Sequence, residues 1–367
     1  MGIGRLSDGL APTPPMGWNS WNGFGIKIDE VLVLESAEAM VASGMRDAGY
    51  RYVVIDDGWM APERDRDGNF VADPAKFPSG IASLAERIHA LGLRFGIYTD
   101  AGTRTCQGLP ASLGYEFRDA RRFAEWGVDY VKVDWCHTDG LSPRACYAKW
   151  AMAIHATKRP IVLSICEWGR ARPWEWAGTI GHLWRTCWDI QPEWSSVAVI
   201  LDRQADLHVF SGPDHWNDPD MLEVGNGMTA SEDRAHFGIW AMLAAPLMAG
   251  NDVRAMSDEV RSVLTAPEIV AIDQDARGMQ AHRIRGDGEG DVWLRELAGS
   301  RAYAVALLNR GSKERELRVG LDQLGFAVGQ RVRVRDLWQR SDIGERRSEV
   351  VTPVAPHSAA VLRIAAY

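Results

Sequence analysis

A (β/α)8 barrel followed by an antiparallel β-sandwich is the fold this sequence predicts, and three observations predict it. Strand-like runs end near Trp18, Asp57, Asp100, Asp134, Glu167, Asp189, Asp214 and Asn251, which makes eight. Most of the intervals between them have the roughly 30 residues or more that a strand–helix–strand unit requires. Beyond about Asp275 the texture changes to short strands separated by Gly, Asp and Ser turns, with no helical pattern between them. The expected division is therefore a barrel over residues 1–278 and a sandwich over 279–367.

The barrel strands read as near-continuous apolar runs, as expected when both faces of a parallel sheet are covered. Tyr52–Ile55 leads into Asp56 and Asp57, Arg94–Tyr98 into Asp100, Tyr130–Val133 into Asp134, and Ile161–Ile165 into Cys166 and Glu167. Between them, Ile81, Leu84, Ile88 and Leu91 recur at helical spacing, with Gly92 placed to end the helix. Ser142 before Pro143 marks the start of another helix, and Thr229 with Glu232 has the spacing of a capping box. A doubly wound open sheet would normally carry a glycine-rich turn after its first strand. Here that strand runs into Trp18–Asn19–Ser20–Trp21. In the second domain, strands are expected at Asp291–Leu297, Arg301–Asn309, Arg315–Leu321, Gln330–Leu337 and Val350–Ile364.

Composition narrows the function. The 367 residues carry 41 Lys and Arg against 49 Asp and Glu, a net charge of −8. That balance argues against a broad nucleic-acid footprint, which needs a basic face. The apolar stretch Ala241–Gly250 contains Pro246 and is too short to span a bilayer. The first residues lack the basic start and apolar core of a secretory signal; the compartment stays open, cytoplasmic or secreted with a leader removed. Five cysteines without a CxxC pair argue against a zinc site and against a disulfide-dense scaffold. Most of the 16 tryptophans should be core, with some free to stack on a ligand's apolar face.

The acidic residues fall where barrel enzymes do chemistry, at the C-terminal ends of strands: Asp56, Asp57, Asp100, Asp134, Glu167, Asp189, Asp214, Asp218 and Asp220. Any one of them could equally cap the following helix. The whole set, with Lys132 and Arg185 one strand step inside, is costly unless paired or used. A metal reading fits poorly, because Asp218–Pro219–Asp220 begins like a calcium loop but no ligand pattern follows. No metal or cofactor is expected. Carboxylate-pair catalysis on a glycoside fits better. Lys132 and Asp134 share a strand face, so the ammonium should keep Asp134 ionised, as a nucleophile needs. Tryptophans around Asp189 should desolvate it and raise its pKa, as a general acid needs.

Taken together, TPPMGWNSWNGF (13–24), YVVIDDGW (52–59), FGIYTDAGTRTC (95–106), WGVDYVKVDWC (126–136), CEWG (166–169), WRTCWD (184–189), WNDPDML (216–222) and WAMLAAPLMAGND (240–252) resemble glycoside hydrolase family 27. This is the clan D family of α-galactosidases and α-N-acetylgalactosaminidases. The resemblance implies a retaining double displacement with Asp134 as nucleophile and Asp189 as acid/base, and retention implies about 5–5.5 Å between the two carboxyls. It assigns Asp56 and Asp57 to the galactose 4- and 6-hydroxyls, Lys132 to the 3- and 4-hydroxyls, and Arg185 to the 2- and 3-hydroxyl side. Trp18 and Tyr98 match aromatic walls and Glu167 matches the 2-hydroxyl contact; Cys106 and Asp218 join the substrate-binding set. Cys106 and Cys136 match a bridged pair at the pocket floor.

The implied partner is an α-galactoside oligosaccharide or glycoconjugate, with no nucleic acid or membrane and with homo-oligomer formation left open. Three departures stand out: Gly58 where many secreted members have cysteine, His182–Leu183 before the WR strand, and Arg170 where galactosidases often place an apolar residue. The same-family alternatives are an α-N-acetylgalactosaminidase, which Glu167 opposes, and a β-L-arabinopyranosidase. The non-enzymatic alternative is a galactose-binding protein on an inactive barrel. In the sandwich, Trp293 and Trp338 are expected to be core rather than ligand platforms.

Overall fold

A computed structural model describes residues 6–366. Its first part is a ring of parallel strands: β1 (Met16–Asn19), β2 (Tyr52–Ile55), β3 (Arg94–Asp100), β4 (Tyr130–Asp134), β5 (Val162–Ile165), β6 (Leu183–Arg185), β7 (Trp216–Asp218) and β8 (Leu247–Ala249). Each pairs with its sequence neighbour from β1 to β7, and β1 also pairs with β8. The ring comes round through a parallel bridge between Ala249 and Leu222, just beyond β7. There the Leu222 N–H donates to the Met248 carbonyl at 2.8 Å.

Seven of the expected strand ends coincide with a strand or its exit loop; the one at Asp214 does not. β7 starts two residues later, at Trp216. Asp214 instead sits in a left-handed turn (φ 67°) and accepts the N–H groups of Gly9 and Ala11, tying the N-terminal segment to the barrel. The anticipated helices form. Ile81–Ala90 buries Ile81, Leu84, Ala85 and Ile88, and ends with Gly92 at φ 74°. Ser142 caps Pro143–Thr157 by accepting from Ala145 N–H, and Thr229 and Glu232 make both bonds of the capping box on Ala230–Met242.

The second part is antiparallel throughout: β9 (His282–Gly286), β10 (Gly290–Glu296), β11 (Ala302–Asn309), β12 (Arg315–Gly320), β13 (Val332–Asp336), β14 (Ser341–Arg346), β15 (Glu349–Val354) and β16 (Ser358–Ala366). Six strands form one sheet in the order β14-β13-β16-β11-β10-β9, and β12 pairs with β15. Val292, Val305, Leu307, Val319, Val334 and Val350 fill the space between the sheets. Sequence reading misses β9 and β14. Both are edge strands, largely exposed and rich in charge, so they show no apolar alternation. It also merges β15 and β16, which a turn through His357 (φ 46°) separates.

The other face of the six-stranded sheet packs on the barrel. Trp293, Leu308 and Val361 share one apolar core with Phe237 and Trp240 of the helix Ala230–Met242. Trp293 is fully buried, as expected, and Trp338 is half-buried against the same core. Arg295, also fully buried, crosses the junction and donates to the carbonyls of Ala241 and Asp273. Burial pulls its pKa down to about 10. Replacing Arg295 by alanine leaves those carbonyls unpaired in an apolar junction, a cost of about 3 kcal/mol. The expected outcome is a thermal midpoint several degrees lower, with helical and sheet signals lost together in circular dichroism.

Candidate active site

Side chains alternate between the barrel interior and the helix layer, and the strand register decides which residues meet. Tyr52, Val54, Tyr130, Val162, Leu183 and Trp216 plug the interior. The next inward step carries Asp56 just past β2, Tyr98 on β3 and Lys132 on β4; the step beyond carries Asp100, paired across with Asp134. Apolar packing below thus gives way to a polar layer at the mouth.

Thirteen residues line the resulting cleft of about 400 Å³, including Asp56, Asp57, Tyr98, Cys106, Lys132, Asp134, Arg185 and Asp189 from the expected set. Lys132 Nζ donates to Asp56 Oδ2 at 2.8 Å, and the same oxygen accepts from Asn19 Nδ2 at 2.7 Å. The ammonium also sits 5.4 Å from the Tyr98 ring centroid. Arg185 spans two carboxylates, reaching Asp189 Oδ1 at 3.0 Å and Asp220 Oδ1 at 2.9 Å. Asp57 accepts from Gln107 N–H, and Asp134 from Trp135 N–H. The Cys106–Cys136 disulfide forms, joining the loops after β3 and β4. Asp100, Cys106 and Cys136 bring ligand atoms within 4.8 Å of one another. The sulfurs are spent on each other, and Asp100 accepts from the Gly102 and Cys136 amides, so the trio is no metal cage.

Three expected contacts fall elsewhere. Trp18 shares its register row with Val53, which faces the helix layer; it is fully buried and donates to Asn251 O, and Trp21 takes a place on the cleft wall. Asp218 pairs in register with Arg185 but lies below the cleft, and Asp220, turned by a positive φ of 86°, is the lining carboxylate. Glu167 follows Ile165 on the outward parity; it is fully buried and accepts from Ala171 N–H at 2.7 Å, holding its own loop. Asn22, Trp168 and Met221 also line the cleft without having been singled out. Their signal was present in the WNSWN, CEWG and WNDPDML blocks, but no count of strand ends reaches loop residues.

Burial dominates the electrostatics. It pushes Asp134 up to about 6 against the pull of Lys132, with Asp56 and Asp189 adding to the rise. Asp57 and Asp218 also reach about 6, Glu167 about 7, and Asp100 about 8, helped by Asp134. The expectation for Asp189 is reversed. Partial burial raises its pKa, but the Arg185 guanidinium and the Lys132 ammonium pull it below the ordinary value. Its side chain is 59% exposed, and Trp188 stacks with Arg203 rather than drying the carboxyl. Lys132, expected to pair with Asp134, makes its direct bond to Asp56.

Residues 13–275 match the family described as alpha galactosidase A, and residues 287–364 match the alpha galactosidase C-terminal beta sandwich domain. The chain belongs to the α-galactosidase A family. It is an enzyme of that glycoside hydrolase family, as the sequence blocks implied. An alpha-galactosidase A of Cellvibrio japonicus is 46% identical, over 97% of this chain and 92% of that one. The crystal structure of α-galactosidase I from Mortierella vinacea superposes with a TM-score of 0.96 at 36% identity, covering 98% of both chains. An α-galactosidase from Saccharomyces cerevisiae, solved with raffinose, gives a TM-score of 0.94 at 28% identity, covering 99% of this chain and all of that one.

The raised carboxyls have a consequence for stability in this α-galactosidase family member. A carboxyl with a native pKa above its unfolded value holds a proton the unfolded chain has released, so stability falls as pH rises between the two. For Asp100 that window runs from 3.8 to about 8. Thermal midpoints should therefore decline from pH 5 to pH 8, and Asp100→Asn should flatten the decline. An unchanged slope in differential scanning calorimetry would assign the decline to other groups.

Proposed function

We propose that the protein is a retaining exo-α-galactosidase, with Asp134 as nucleophile and Asp189 as acid/base. The observation that carries this reading is the placement of two carboxylates on one cleft at different depths. Asp134 ends β4, is 6% exposed and is fixed by the Trp135 N–H. Asp189 lies four residues beyond β6, at the mouth. A nucleophile must be held still beneath the anomeric carbon, whereas the acid must meet the leaving oxygen, which points outward.

In the first step the Asp134 carboxylate attacks the anomeric carbon as Asp189 gives its proton to the departing glycosidic oxygen. The glycosyl ester on Asp134 is then cleaved by water, whose proton Asp189 takes. Two inversions leave the α configuration. Asp56, Asp57 and Lys132 offer buried polar contacts to the ring hydroxyls, and a blind polar floor suits removal of a terminal residue. Without substrate, Arg185 holds Asp189 ionised; a sugar ring that covers the carboxyl strips it of water and raises its pKa. The substrate is a terminal α-galactoside on an oligosaccharide or glycoconjugate.

The purified protein should release p-nitrophenol from its α-D-galactopyranoside, with α-galactose as the first product by proton NMR. Asp134→Asn should lower kcat by about a thousandfold or more. A higher rate on the β-L-arabinopyranoside or the α-N-acetylgalactosaminide would overturn the choice of sugar. The acid limb of kcat/KM should fall near pH 6, where Asp134 takes up its proton and loses nucleophilicity. A limb at pH 4 with the same substrate would dissociate Asp134 from it.

A further inference from the structure

Asp189 belongs to two cavities. One is the cleft above; the other is an open recess of about 850 Å³ formed by Trp168, Gly169, Arg170, Trp188, Asp189 and Arg203. If Asp189 protonates the glycosidic oxygen, the group that leaves lies on the far side of Asp189 from the galactose, in this recess. Two tryptophans frame it, Trp168 half-buried and Trp188 44% exposed. Each carries an arginine on its ring: Arg170 Cζ is 4.6 Å from the Trp168 centroid, and Arg203 Cζ is 4.1 Å from that of Trp188.

The backbone holds this arrangement at some cost. Trp168 adopts φ 58°, a left-handed conformation worth of order 1 kcal/mol of strain for a bulky residue. Gly169 follows at φ 74°, where any Cβ would collide with the Thr186 carbonyl. Glu167, bonded to Ala171 N–H, pins the loop from below. Among the described residues neither Arg170 nor Arg203 makes an ion pair; each guanidinium lies against a tryptophan ring. The carboxyl that feels Arg170 is the buried Glu167, which burial drives toward its neutral form. Asp189, the one carboxylate lining this recess, is already bonded by Arg185, so the two guanidiniums give the recess a positive lining in a chain of charge −8.

We propose that this recess is a leaving-group subsite selecting aglycones that carry a carboxylate beside a flat ring face, such as a uronic acid or an acidic aryl group. The proposal rests on the galactosidase reading above. The tryptophan faces stack on the ring, and the planar forks of Arg170 and Arg203 take the carboxylate.

The test uses the full-length Asp134→Asn protein, so that binding is read without turnover. Calorimetry compares 4-carboxyphenyl with 4-carbamoylphenyl α-D-galactopyranoside, two rings of the same shape and different charge. The carboxylate should bind roughly five- to tenfold tighter, as expected for two partly exposed charge pairs. The preference should shrink in 1 M salt, by screening of about 3 Å range, and vanish when Arg170→Gln and Arg203→Gln are added. Arg170→Lys with Arg203→Lys should restore part of it. Equal binding of both glycosides, or a preference that survives the glutamine substitutions, overturns the proposal and leaves the galactosidase reading standing. Binding of neither glycoside, with no p-nitrophenol released by the wild-type protein, overturns both.

Discussion

Carboxylates converge on the mouth of this barrel because two buried cations are built into the same layer. Lys132 neutralises Asp56 at the floor, and Arg185 bridges Asp189 and Asp220 at the wall. Burial disfavours the charge on Lys132, yet Asp56 and Asp134 outweigh it and keep the ammonium. Without these pairs, Asp56, Asp134 and Asp220 would face one another over an apolar plug with only amide donors to offset their desolvation. The buried position of Asp134 and the lowered pKa of Asp189 both belong to that arrangement.

The loops that leave the strands carry the strain this requires. His137 after β4, Trp168 after β5 and Asp220 after β7 all hold positive φ without being glycine. Two of these turns, at Trp168 and Asp220, carry residues that line the cleft. The Cys106–Cys136 disulfide and the two amide bonds to Asp100 fix the loops after β3 and β4 against each other. Rigid strands set the coarse positions; strained, tethered loops set the final ones.

The sandwich contributes through the helix Ala230–Met242, whose apolar face it covers. Glu232 takes part in the capping box and also bonds His357 Nδ1 at 2.8 Å, so the start of that helix is tied to the turn before β16. Arg295 ties its end. That helix also supplies Trp240, whose indole donates to the Asp220 carbonyl, so the sandwich supports the wall of the cleft at one remove.

The local signals in the chain were enough for the barrel, seven of its eight strand ends and the three helices they marked, because β-branched runs, caps and i, i+2 pairs such as Lys132 and Asp134 act over a few residues. They also sufficed for the acidic cluster and for the family blocks. They did not reach the edge strands β9 and β14, whose stability comes from a neighbour rather than from their own pattern. Nor did they decide between Trp18 and Trp21, or between Asp218 and Asp220, at the cleft. Those choices depend on which register row stands level with the mouth and on the turn beyond each strand, and both are set only when the ring closes. The sign of the shift at Asp189 has the same origin. Its sequence neighbours are tryptophans, but its field comes from Arg185 and Lys132, and only the folded barrel brings the ammonium of one strand and the carboxylate beyond another to the same opening.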